Sequence, residues 1–107
     1  MLLDDARISE LADAVSVHKL DELLQIFWRD LPEQLQQLAA ADNDNKILQV
    51  AKILHGLRGT AANLGLKGVH EFWADQTVSV ERLAEFKTLA VETQAAWQAW
   101  QGRRLAL

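Results

Sequence analysis

Apolar residues recur three and four positions apart along almost the whole chain, and nowhere do they alternate with polar ones as in an amphipathic strand. This pattern predicts an all-α fold. A short first helix is expected from Asp4 to Val15, with Ile8, Leu11 and Val15 on one side and Asp4 and Asp5 at the positive end of its dipole. His18 then falls in a turn. From Lys19 to Ala40, the positions Leu20, Leu23, Leu24, Phe27, Leu31, Leu35 and Leu38 mark a long amphipathic helix, in which Pro32 predicts a kink or break near Trp28 to Leu31. The run Ala41-Asp42-Asn43-Asp44-Asn45 reads as a loop whose Asp and Asn side chains can cap the helix that follows, roughly Asn45 to Leu64. Gly65 is placed to end that helix in the left-handed conformation.

Leu66 to Val78 reads as a shorter helix with Leu66, Val69, Phe72, Trp73 and Gln76 on one side, and Ser79 as the cap of the last one. There Leu83, Phe86, Ala90, Thr93, Trp97 and Trp100 step by three and four, Gly102 is the expected end, Arg103 and Arg104 suit its negative pole, and Leu105 to Leu107 form a tail. Four substantial helices and a small one at the front imply an antiparallel four-helix bundle with a short extra N-terminal helix. The 107 residues fit one domain, spanning 1–107.

Inside this frame the stretch Val50 to Gly65 stands out. Turning about 100° per residue from His55, the residues Val50, Ile53, Leu54, Leu57, Ala61 and Leu64 fall roughly 160° to 260° away and form one apolar stripe. His55 lies opposite, with Ala51, Lys52, Arg58, Gly59 and Ala62 within about 60° of it, one or two turns above or below. The imidazole is therefore expected at the surface among small and basic neighbours. Gly56 and Gly59 each cost about 1 kcal/mol relative to alanine inside a helix, so stability alone gives them no reason to be there. A surface that must come close to the backbone would.

Composition narrows the chemistry. A net charge of -4 and no Lys/Arg cluster larger than Arg103-Arg104 argue against nucleic acid as a partner. Without cysteine, disulfides and thiolate metal sites are excluded. No apolar run approaches the roughly 18 residues of a membrane span, and the start M-L-L-D-D-A-R is too acidic for a signal peptide, so a cytoplasmic protein without membrane contact is expected. His18 and His70 stand in no metal-ligand spacing with His55, so no metal site is expected and both read as surface residues. The pairs Asp4-Asp5 and Asp21-Glu22 read as solvated helix starts rather than acid/base catalysts.

An exposed histidine is usually inert surface. Here a guanidinium one turn away and a glycine on the adjoining turn describe a nucleophile prepared for a large partner. Imidazole offers a free ring nitrogen near pH 7 that can attack phosphorus and hold a phosphoryl group as an N–P bond. Arg58 can present donors to the phosphoryl oxygens, and Gly59 leaves room for a partner to reach the ring.

The string His55-Gly56-Leu57-Arg58-Gly59-Thr60-Ala61-Ala62-Asn63-Leu64-Gly65 resembles the H-x-L-K-G-x-A-x-x-L-G signature of histidine-containing phosphotransfer (HPt) domains of multistep two-component relays. The Phe27 to Leu38 stretch is similar, more loosely, to that family's second helix. The resemblance implies a four-helix bundle whose histidine, His55, takes a phosphoryl group from the aspartate of one response-regulator receiver domain and gives it to another. It implies a monomeric phosphocarrier without a kinase site, binding no cofactor of its own, with magnesium brought by the receiver. Arg58 stands where the family usually has lysine, which keeps the charge but changes its geometry. Where the family often places a glutamine that hydrogen-bonds the imidazole, this chain has Thr77, with Gln76 beside it as the candidate.

The remaining surface candidates are Trp28, Leu48, Ala51, Lys52 and Ala62. Leu48 lies roughly 20° from His55, two turns earlier, and puts an apolar side chain on the active face. Trp28 either packs or helps a receiver to dock, whereas Trp97 and Trp100 follow the core stripe. Two other functions fit the same face: a helical module that binds receivers without being phosphorylated, and the phosphoacceptor domain of a chemotaxis-type histidine kinase.

Overall fold

The computed structural model describes residues 1–105. Helices α1 (Asp5–Val15), α2 (Val17–Asn43), α3 (Ile47–Asn63), α4 (Lys67–Phe72) and α5 (Val80–Leu105) follow one another with no strand among the described residues. The all-α helical bundle expected from the periodicity is what forms. Helix α3 packs between α2 and α4, α4 against α5, and α1 against α2. The bundle measures 50 × 22 × 22 Å, its long axis set by α2 and α5, and no helix among the described residues is long and apolar enough to cross a membrane.

Local chemistry explains the ends. Asp4 caps α1 by accepting from the Arg7 amide at 3.0 Å, and Ser16, at φ 92°, separates α1 from α2 while its hydroxyl accepts from the Lys19 amide at 3.1 Å. His18 is therefore in the first turn of α2, not in a turn before it. Asn45 and Gly65 close α2 and α3 in the same way: each is left-handed (φ 56° and 76°), and the next amide reaches back five residues, Lys46 to Ala41 at 2.9 Å and Leu66 to Ala61 at 2.8 Å. Gly65 is required twice over. A Cβ there would sit 2.7 Å from Ile8 Cγ1, because the N-terminal segment folds back over this end of α3, the Asp4 amide donating to the Gly65 carbonyl at 2.9 Å.

The structure departs from the sequence expectation at several points, and Ala41 to Asn43, read as loop, belong to α2. Pro32 does not interrupt α2, which is one helix of 27 residues, because the buried stripe Phe27, Leu31, Leu35 and Leu38 continues on both sides of it and the proline itself faces solvent. The Asp and Asn side chains of residues 42–45 do not cap α3: Lys46 is its N-cap residue, without a side-chain bond, since Asn45 is occupied in ending α2. Helix α4 stops at Phe72 rather than near Val78. Finally, α5 passes through Gly102 to Leu105, its last turn held down by Arg104, which pairs with Asp13 of α1 and lies 5.5 Å from the Trp100 ring centre. The remainder of the expected C-terminal tail, 106–107, lies outside the described residues. Ser79 behaves as expected, its hydroxyl accepting from the Arg82 amide at 3.0 Å.

Candidate functional site

The stripe on α3 lies where periodicity puts it. Leu54, Leu57 and Ala61 are buried, Val50, Ile53 and Leu64 are partly buried against the same core, and His55 is exposed on the opposite side. The other two histidines are tied down, His18 Nε2 to Glu22 at 3.1 Å and His70 Nδ1 to the Arg58 carbonyl at 3.1 Å. Among the described residues His55 has neither kind of partner.

The charge around it is one-sided. Helix α3 contains no carboxylate, and its charged residues are Lys52 and Arg58, one turn to either side of His55. Neither enters an ion pair among the described residues, whereas Arg7, Lys19, Arg29, Lys67, Arg82 and Arg104 all do. Arg58 is half-buried, and its Nε is shielded from solvent without an acceptor.

Gly56 and Gly59 are both exposed, and a Cβ built on either would touch nothing within 4 Å. No packing inside the chain calls for glycine at these positions. Their effect is an uncluttered backbone beside the ring. Around it Lys52 and Ala62 are exposed, Ala51 is half-buried, and Leu48 and Ile47 are 87% and 78% exposed at the start of the helix. Trp28 lies apart from this face. It is half-buried, edge-on to Phe27 at 4.9 Å, and shares a helical row with Pro32, Gln36 and Ala39, which line the depression facing α5. The α3-facing row of α2 is Asp30, Gln34 and Gln37.

Gln76 lines a depression together with residues of α3. Because α4 ends at Phe72, residues beyond it no longer follow a helical register, and Gln76, at φ 56°, lines a depression of about 240 Å³ with Val50, Ala51 and Asn45. Ala51 is one turn before His55. Helical side chains tilt toward the N-terminus, so the imidazole leans over that turn. Thr77 instead turns its amide to Asp75 Oδ1 at 3.1 Å.

Sequence reasoning missed His70. It is half-buried rather than a free surface residue, and it joins α4 to α3 at Arg58. Its bond to a carbonyl oxygen requires Nδ1 to carry the proton. Nothing in its spacing signalled this, since the contact exists only once the two helices pack. Among the described residues no group of three or more His, Asp or Glu is placed to hold a metal ion.

The family model described as Hpt domain matches residues 22–99 of the chain. The protein named "Phosphorelay protein LuxU" from Vibrio vulnificus, strains YJ016 and CMCP6, is 28% identical over 109 aligned residues, covering 94% of this chain and 95% of the relative. No solved structure matches the chain.

Proposed function

Because the chain belongs to the Hpt domain family, we propose that it is a phosphorelay intermediate in which His55 accepts a phosphoryl group from the aspartyl phosphate of one response-regulator receiver and passes it to the aspartate of another. The observation that carries this reading is the single exposed, unpartnered imidazole set between two unpaired cations on a helix without carboxylates. The relatives named as phosphorelay proteins, similar over nearly their whole length, support the role of carrier rather than kinase.

In this reading a ring nitrogen of His55 attacks phosphorus in line with the bond to the receiver aspartate. The N–P bond forms as the P–O bond breaks, and the aspartate leaves as a carboxylate. The reverse step, on a second receiver, returns the ring to its starting state. Arg58 supplies donors to the phosphoryl oxygens, where charge is spread during transfer. Gly56, Gly59 and Ala62 let the receiver approach, and Leu48, Ala51 and Lys52 extend the contact on the other side of the ring. The Gln76 amide holds the second ring nitrogen. Magnesium belongs to the receiver and shields the negative charges that meet there.

The test is to incubate the chain with a phosphorylated receiver and magnesium beside a His55→Gln variant. The wild type is expected to gain an acid-labile, alkali-stable phosphate and the variant none. A wild type that takes up no phosphate from any receiver overturns the relay reading. A variant phosphorylated as well as the wild type moves the site elsewhere.

A further inference from the structure

Between α4 and α5 the chain crosses seven residues, 73–79, with no regular structure, and four in succession, Ala74 to Thr77, are exposed. One of them, Gln76, is left-handed, a conformation that a residue with a Cβ adopts only when its surroundings impose it. A single guanidinium ties the segment before it to α5. Arg82, on the first turn of α5, donates through Nη2 to the carbonyl of Phe72, where α4 ends, and to Asp75 Oδ1 at 3.1 Å. Its guanidinium lies over the Phe72 ring, 3.8 Å from the centre, and its side chain is only 23% exposed. Asp75 Oδ1 also accepts from the Thr77 amide at 3.1 Å, and the Gln76 amide donates to the Trp73 carbonyl at 3.1 Å.

A group needed only to stop α4 would have done its work at the Phe72 carbonyl. The second bond, to Asp75, goes further. Asp75 is gripped from both sides, by Arg82 and by the Thr77 amide, and these two contacts bracket Gln76. The bracketed residue is the one that lines the depression beside Val50 and Ala51, against the turn over which the His55 ring leans.

We propose that Arg82, acting through Asp75, is a positioning residue for phosphoryl transfer: it holds the α4–α5 connection so that the Gln76 amide is presented to the His55 imidazole. This rests on the assignment of His55 as the phosphoryl acceptor. It accounts for the shift of one position between the family's usual glutamine and the one present here. With the helix ended at Phe72, residue 76 lines the depression beside α3 while the amide of residue 77 is engaged by Asp75.

Arg82 packs on Phe72, so its replacement also disturbs the fold, whereas Asp75 is 60% exposed and its loss leaves the core untouched. The experiment therefore compares Asp75→Ala, Arg82→Lys, Gln76→Ala and the double variant Asp75→Ala/Gln76→Ala in the full chain. One readout is the single-turnover transfer rate from a phosphorylated receiver with magnesium. The other is the ¹⁵N shifts of the two His55 ring nitrogens in the unphosphorylated protein.

Losing one positioned hydrogen bond lowers a rate about five-fold. Asp75→Ala and Gln76→Ala are each expected to slow transfer by that factor at unchanged receiver affinity, and Arg82→Lys, which keeps the charge but not the fork, by a similar factor. The double variant should be no slower than Gln76→Ala. The thermal midpoint of Asp75→Ala should match wild type, and its His55 shifts should move to those of Gln76→Ala. An Asp75→Ala protein with wild-type rate and wild-type shifts overturns the proposal, as does a double variant whose two losses multiply. If wild type takes up no phosphate, it is the acceptor assignment that fails, and the ring-nitrogen shifts still decide whether Asp75 controls the contact to His55.

Discussion

The two ends of this bundle treat their polar groups in opposite ways. At the end where α1, α2 and α5 meet, donors are paired between helices: the buried Trp97 donates through Nε1 to Asp21 at 2.8 Å, and Arg104 pairs with Asp13 beside the Trp100 ring. On the exposed face of α3, His55, Lys52 and Arg58 have no partner among the described residues, and the shielded Nε of Arg58 has none either. Satisfying polar groups is the ordinary condition of a stable fold. Three neighbouring groups left without partners on one helix, with two glycines that no internal contact requires, mark the face whose partners lie outside the chain.

The sharpest way to break this contrast is His55→Gln. Phosphoryl uptake should fall by at least about 10³-fold, because no other nucleophile replaces the ring, while unfolding free energy stays within about 0.5 kcal/mol as for a surface change. Quantifying labelled phosphate and a urea melt side by side checks both halves. The mirror experiment lies at the foot of α3. Gly65→Ala should destabilise by about 3 kcal/mol, from the left-handed backbone and the contact with Ile8, and a denaturant titration reads it directly.

Next in size, Asp21→Ala leaves the Trp97 indole N–H buried without an acceptor and should cost about 2 kcal/mol in a thermal melt, with transfer unaffected. Arg58→Gln should do the reverse, slowing transfer about ten-fold with the melting curve unmoved. Arg58→Lys should recover part of that rate, since the charge survives and the planar fork does not. The smallest effect carries a change of sign. Gly59→Ala should stabilise the protein by about 1 kcal/mol, as expected at an open helix position, and yet slow transfer, because the methyl group stands where the receiver must approach. A Gly59→Ala protein that is both more stable and equally fast removes the close-approach role of this residue.

Much of the site was legible along the chain. His55 could be placed opposite Leu54, Leu57 and Ala61 because helical pitch alone sets the angle between residues of one helix. Gly65 could be assigned because the left-handed stop is a property of that backbone position. At Pro32 the expected break does not occur, since the packing of Phe27, Leu31, Leu35 and Leu38 carries α2 through it. The end of α4 was missed for the opposite reason. Trp73 to Val78 contain nothing that forbids a helix, and the carbonyl on which it ends is met by a guanidinium arriving from α5.

The sequence by itself therefore determined that the fold is helical, which face of α3 is buried and that His55 stands exposed opposite it, since all of these depend on residues within a few turns of one another. Only the tertiary structure decided what surrounds that histidine. His70 touches the Arg58 carbonyl, and Gln76 lines the depression beside Ala51, because α4 and the connection after it pack against α3. Helical periodicity carries no information across a chain reversal, and there position is set by whichever donor and acceptor the packing brings together.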